Sequence, residues 1–254
     1  MQVITIANQK GGVGKSTLAV HLAWHALDAD RPVLLVDLDG QANTSRTFSR
    51  TNEGLCASSL FVSDPGATLP APQQITDRLS LIHADLEIND VEGIPLAAIK
   101  RPAAHLRTLA PRLAPDTLVV IDTPPNLGRR LLGALIASDA VLSPLALNGY
   151  SLQGITDMQR TINTVRRKFN PGLKNLGLLA NMVDLRSSTH ARMLGELRQS
   201  LGAKLLPQVL HRRVSISDAI DNGRPVWRAT RGSSHLAAAK EMRAVCDAIM
   251  ERLS

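Results

Sequence analysis

Short apolar runs recur along the chain: Val3 to Ile6, Val33-Leu34-Leu35-Val36, Leu118-Val119-Val120-Ile121, Ala140 to Leu145 and Leu176 to Met182. None shows the strict alternation of a half-exposed strand, so the pattern predicts strands buried on both faces, as in a parallel sheet. Between them lie stretches with helical patterning. One runs from Leu18 to about Asp28 and stops at the Asp30-Arg31-Pro32 turn; another covers Pro102 to Leu113, with Arg107 and Arg112 on its outer face. A third spans Leu152 to Phe169 and closes with Arg166-Arg167-Lys168, and Leu236 to Leu253 reads as an amphipathic helix that packs back on the sheet. Strands alternating with helices predict an α/β fold: a doubly wound, mostly parallel sheet flanked by helices on both faces. Within residues 45–116 only Leu79-Ser80-Leu81-Ile82 suggests a further strand, and that region offers no chemistry to assign.

The chain of 254 residues can bury one large core, and no Pro/Gly/Ser-rich linker divides it, so residues 1–254 are expected to form a single domain. The first strand begins at about Gln2, which leaves no expected room for a signal peptide or an added N-terminal DNA-reading module. No apolar stretch approaches the length of a membrane span. Cys56 and Cys246 lack CxxC or His-rich spacing, which argues for a reducing cytoplasm and against a zinc or iron–sulfur site.

Charge sharpens the picture. The net charge is +7 and the pI near 10.0. Residues 1–150 hold 12 Lys and Arg against 14 Asp and Glu, whereas residues 151–254 hold 17 against 8, so the basicity belongs to the C-terminal part. A polyanion such as DNA is the natural partner. Aromatic residues make up only 2%, too few for a platform that stacks single-stranded bases, which leaves contact with duplex phosphates.

The chemistry starts at the N-terminus, MQVITIANQKGGVGKST. A strand, a glycine-rich turn and a helix follow one another without a break, the context a phosphate-binding loop requires. Gly11, Gly12 and Gly14 let successive backbone N–H groups, with that of Val13, turn inward, and the helix N-terminus opening at Lys15-Ser16-Thr17 adds its positive end. Lys15 is placed to reach β- and γ-phosphates and Ser16 to ligate the accompanying Mg²⁺. The second run, Val33–Val36, delivers Asp37 and Asp39 to the carboxyl edge where ligands of open α/β sheets gather. One can orient a water; the other can hold the Mg²⁺ shell or Lys15. Leu118–Ile121 ends in Asp122-Thr123-Pro124-Pro125, and a strand-terminal Asp of this kind binds Mg²⁺ directly or through water.

In its spelling KGGVGKST, with a second lysine at Lys10 and Gln9 where the ordinary loop has Gly, the opening resembles the deviant phosphate-loop motif of the ParA/MinD family of ATPases. Asp37-Leu38-Asp39-Gly40-Gln41-Ala42-Asn43 resembles that family's DxDPQGN, with Gly40 replacing Pro and Ala42 replacing Gly. IDTPPNLG resembles IDxPPxLG, and Ile216 to Pro225 resembles LSEAPSHGKP. The segment VLSPLALNGYSLQGI is most similar to IncC-type plasmid proteins. The resemblance implies the fold of P-loop NTPases, an ATPase using ATP and Mg²⁺, and a role in plasmid or chromosome partition. It implies that Lys10 crosses to a partner's nucleotide in an ATP-dependent homodimer, that Asp39 orients the attacking water with Asp37 in support, and that Asn181 contacts adenine. It further implies non-specific binding of double-stranded DNA and a ParB-like centromere-binding partner, hence a cytoplasmic, nucleoid-associated protein. Family DNA-contacting arginines match Arg186 and, in second place, Ser215; Arg212 and Arg213 are expected to serve instead of Ser215, with Arg224 and Arg228 as further candidates. A MinD-like membrane scaffold is the alternative, disfavoured because the tail 248–254 is balanced in charge. A reductase iron protein would require cysteines near Asp122, which the sequence lacks.

Overall fold

The computed structural model describes residues 1–147, 152–184, 186–228 and 231–253. Residues 148–151, inside the segment similar to IncC-type proteins, and Leu185 lie outside the described residues. Among the described residues eight strands form one sheet: β1 (Gln2–Ile6), β2 (Val33–Asp37), β3 (Gln73–Thr76), β4 (Leu79–Ile82), β5 (Leu118–Asp122), β6 (Ala140–Ala146), β7 (Lys174–Val183) and β8 (Leu205–His211). Their order is β3-β4-β2-β5-β1-β6-β7-β8. Every neighbouring pair is parallel except β3 with β4.

The helices are α1 (Lys15–Asp28), α2 (Asn43–Phe48), α3 (Ser59–Val62), α4 (Arg101–Leu109), α5 (Arg129–Ala137), α6 (Leu152–Lys168), α7 (Ser188–Leu201), α8 (Val214–Asp221) and α9 (Gly232–Leu253). Short 3₁₀ segments include Leu86–Gly93 and Leu96–Lys100. The apolar runs all became strands. The β3 and β8 strands, and α2, α3, α5 and α7, lie outside the runs and stretches read from the pattern: β3 is a polar edge strand reading QQIT, and β8 is interrupted by Pro207 and Gln208.

Successive residues of each central strand point to opposite faces, and both faces are covered. Ile4, Ile6, Val33, Leu35, Leu118 and Val120 pack with α1 and α9. Val3, Leu34, Val36, Val119 and Ile121 pack on the other side with residues of α3, α4 and α5. Beyond β6, α6 and α7 extend this second layer. Because α1 lies between sheet and α9 it is apolar nearly all round, with Leu18, Val20, Leu22 and Trp24 all buried. The register places Ile6, Asp37 and Asp122 side by side, so the carboxyl ends of three adjacent strands open at one edge.

Candidate functional site

At that edge the chain leaves β1 and turns through Asn8 to Gly14. Asn8 anchors the loop by donating to the Pro144 carbonyl of β6 (2.7 Å) and accepting from the Lys10 N–H (2.9 Å). Gly12 and Gly14 have φ of 69° and 85°, the left-handed region in which a side chain is strained. At Gly14 there is a second reason for glycine: a Cβ there would collide with the Asn181 amide. Asn181, buried at the end of β7, donates from Nδ2 to the Val13 carbonyl (2.8 Å) and accepts from the Met182 N–H (2.8 Å). The side chain, expected to contact adenine, here braces the phosphate loop.

Lys15 opens α1 and is buried, its ammonium donating to the Lys10 carbonyl (3.1 Å). Burial lowers its pKa, while the negative charges of Asp122 and Asp39 raise it. A second cation-demanding pair lies alongside. Asp122 is wholly buried, with Oδ2 accepting from the Thr44 hydroxyl (2.8 Å). Its Oδ1 has no hydrogen-bond partner of good geometry, although the Ser16 hydroxyl lies close enough to lower the carboxyl pKa. Burial outweighs that help and pushes the Asp122 pKa up. A buried carboxylate short of positive charge, next to a serine hydroxyl at a helix N-terminus, fits a divalent cation.

Asp37, expected to support the Mg²⁺ shell, lies behind the cleft. Its Oδ2 accepts from the N–H (2.8 Å) and hydroxyl (2.7 Å) of Ser45, and its Oδ1 from the Asp39 N–H (3.1 Å). Both oxygens therefore help shape the turn into α2, and Asp37 is not among the residues that line the cleft. Burial and the neighbouring Asp122 charge push its pKa up. Asp39 does face the cleft, its Oδ1 accepting from the Gln41 N–H (3.0 Å). The cleft, about 580 Å³, gathers Gly11, Gly12, Gly14, Lys15, Ser16, Thr17 and Asp39. It also contains Arg46, which sequence reasoning left without chemistry along with the rest of 45–116. Thr44 and Ser45 were also given no role, although the polar Asn43-Thr44-Ser45 run a few residues past Asp39 was a local signal for a helix start.

A larger groove of about 970 Å³ shares Gly11, Gly12, Thr17 and Met182 with this cleft and carries Lys10, Arg186, Arg212 and Arg213 along its walls. Lys10, Arg186 and Arg212 are exposed. Arg213, expected to contact DNA, is only 14% exposed in its side chain and pairs with Glu241 of α9 through Nη2 (2.7 Å) and Nε (3.4 Å). His211 shares that carboxylate (3.0 Å), and the Glu241 pKa falls because these hydrogen bonds outweigh its burial. Arg224 is exposed at the end of α8, away from the groove, and Arg228 pairs with Asp28 (2.7 Å).

A glycine-rich loop cradling a helix N-terminus, with strand-end carboxylates around it on a doubly wound sheet, defines a P-loop ATPase. A family model described as an AAA domain matches residues 1–175. Protein IncC of Escherichia coli is 38% identical over 259 residues, covering 100% of this chain and 70% of that protein. The chromosome partitioning protein ParA of Caulobacter vibrioides is 34% identical, covering 89% of this chain and 86% of that one. Among solved structures, cobyrinic acid a,c-diamide synthase from Mycobacterium smegmatis, determined with an ATP analogue and magnesium, superposes with a TM-score of 0.79 at 25% identity, covering 99% and 95% of the two chains. The chain belongs to the ParA family of partition ATPases.

Proposed function

We propose that the protein is a nucleotide-controlled switch for DNA partition. Residues 1–254 work as one unit that binds ATP with Mg²⁺: the backbone from Gly11 to Gly14, Lys15 and Thr17 hold the phosphates, and Ser16 and Asp122 hold the cation. Mg²⁺, when bound, neutralises charge on the phosphate oxygens. Asp39 orients the attacking water, in a position fixed by the Gln41 N–H and by Asp37 behind it. Two copies close face to face on ATP, each Lys10 reaching the other's nucleotide. The closed dimer binds duplex DNA without sequence preference, and hydrolysis, stimulated by a ParB-like partner, releases it. Such a cycle belongs in the cytoplasm, on the nucleoid.

The observation that carries this reading is the shared wall between cleft and groove: Gly11 and Gly12 serve both, so the phosphate site and the exposed Lys10, Arg186 and Arg212 form one continuous surface. The test is duplex binding followed by fluorescence anisotropy with ATP or ADP across a salt series. Binding is expected only with ATP, falling steeply with salt and hardly varying with sequence. Arg186→Glu with Arg212→Glu should abolish it and leave ATP affinity intact. An unchanged salt slope in the double variant would move the basic face elsewhere, to Arg166-Arg167-Lys168 at the end of α6 first.

A further inference from the structure

The turn that presents Asp39 contains Gly40, at the position where the motif it resembles has Pro, and a glycine turn is loose unless something outside holds it. The structure contains such a holder. Arg130 on α5 is buried, with 6% exposure. Its Nη1 donates to the Leu38 carbonyl (3.3 Å), one residue before Asp39, and to Asn89 Oδ1 (3.2 Å). Its Nε pairs with Glu92 (2.9 Å), whose other oxygen accepts from the Arg129 N–H at the start of α5 (2.6 Å).

Asn89 completes the arrangement because it sits directly on Gly40. A Cβ at residue 40 would come within 2.6 Å of Asn89 Nδ2 and 2.8 Å of its Cγ, closer than real Cβ contacts come. A side chain at residue 40 would therefore push Asn89 out of the place from which it accepts from Arg130. Gly40, Asn89, Glu92 and Arg130 form a matched set, drawn from three separate parts of the chain. A buried guanidinium is expensive to desolvate and is retained where its planar fork fixes several acceptors at once.

We propose that Arg130, through Asn89, Glu92 and the Leu38 carbonyl, is a positioning residue that fixes the loop presenting Asp39 for ATP hydrolysis. The inference rests on the reading that Asp39 orients the attacking water. Arg130 does not line the nucleotide cleft, so it acts on turnover and not on binding.

The experiment measures kcat and KM for ATP hydrolysis by the full chain, with melting curves, for Arg130→Met, Asn89→Ala, Gly40→Ala, Gly40→Ala with Asn89→Ala, and Asp39→Ala. Arg130→Met should lower kcat roughly ten- to a hundredfold, the scale of a small misplacement of a reacting group, with KM changed by less than about twofold. Asn89→Ala and Gly40→Ala should each lower kcat, and Gly40→Ala should add nothing once Asn89 has been removed. A merely structural role would not produce that dependence. Asn89 is exposed, so its variant carries the test even if Arg130→Met fails to fold. Unchanged kcat in Asn89→Ala and Arg130→Met, or a rise in KM at constant kcat, overturns the proposal while a loss in Asp39→Ala keeps the reading of Asp39. Full turnover by Asp39→Ala overturns that reading and this one with it.

Discussion

Around the phosphate loop, the side chains placed for chemistry are buried or half-buried and most are held by other polar groups: Lys15 by the Lys10 carbonyl, Asp122 by Thr44, Asp37 by Ser45, Asp39 by the Gln41 N–H. Along the basic groove, Arg186 and Arg212 stand exposed, and the one arginine that is firmly held, Arg213, is held by an acid that neutralises it. The two regions meet at Gly11 and Gly12 but obey different physics. Positioning a phosphate and a water needs fixed dipoles in a site shielded from water, where each misplaced group is costly. Binding duplex DNA through its backbone needs only positive charge within reach, and solvent screens any single contact.

Exchanging residues at constant charge exposes this difference most strongly. Lys15→Arg keeps the charge but forces a larger head into a buried site, and hydrolysis should fall on the order of 10²-fold. Arg212→Lys should leave DNA affinity within about twofold, because a phosphate contact by a solvated cation reads charge and not shape. Equal losses in the two variants would erase the distinction.

A smaller effect separates the regions through pH. The pKa values of Asp37 and Asp122 are raised by burial, so the folded protein holds protons that the unfolded chain has released. The stability tied to those protons is fully present below the ordinary carboxyl value of 3.8 and is lost as pH rises through the folded values. Asp122→Asn, which keeps an acceptor for Thr44, should therefore stabilise the metal-free protein by about 1 to 3 kcal/mol near pH 8 and by nothing near pH 3.8 in denaturation experiments. His21 acts with the opposite sign. It is locked neutral between the Thr17 carbonyl (2.8 Å) and the Val226 N–H (3.3 Å), with its pKa lowered by burial to about 4. Its contribution is intact above the ordinary value of 6.5 and is lost as pH falls toward 4. The comparison of Asp122→Asn with the unaltered chain cancels this term.

Most of the candidate site was legible in sequence because its signals are local: glycines, Lys15 and Ser16 are contiguous, Asp37 and Asp122 each close an apolar run, and Asp39 follows two residues after Asp37. The strands of the sheet centre were legible for the same reason, since burial on both faces writes itself as continuous Val, Ile and Leu. Arg130, Asn89 and Glu92 were not. Arg129-Arg130 follows a glycine at a helix start, and only tertiary contact with the Leu38 carbonyl, Asn89 and Glu92 turns Arg130 inward. For Asn181 nothing in the sequence signalled its bond to the Val13 carbonyl, because the closeness of Gly14 that directs its amide is a packing fact. Arg213 shows the limit of counting charge: an Arg-Arg pair gives no sign that Glu241, far along the chain, takes one of the two.

In the proposed cycle the nucleotide site and the basic face act together through a dimer in which Lys10 crosses between copies. Light scattering on the unaltered chain and on Lys10→Ala, each with Mg²⁺ and either ATP or ADP, tests it most directly. A dimer is expected only for the unaltered chain with ATP, and a monomer that still binds ATP for Lys10→Ala. A Lys10→Ala dimer that forms normally with ATP would contradict it.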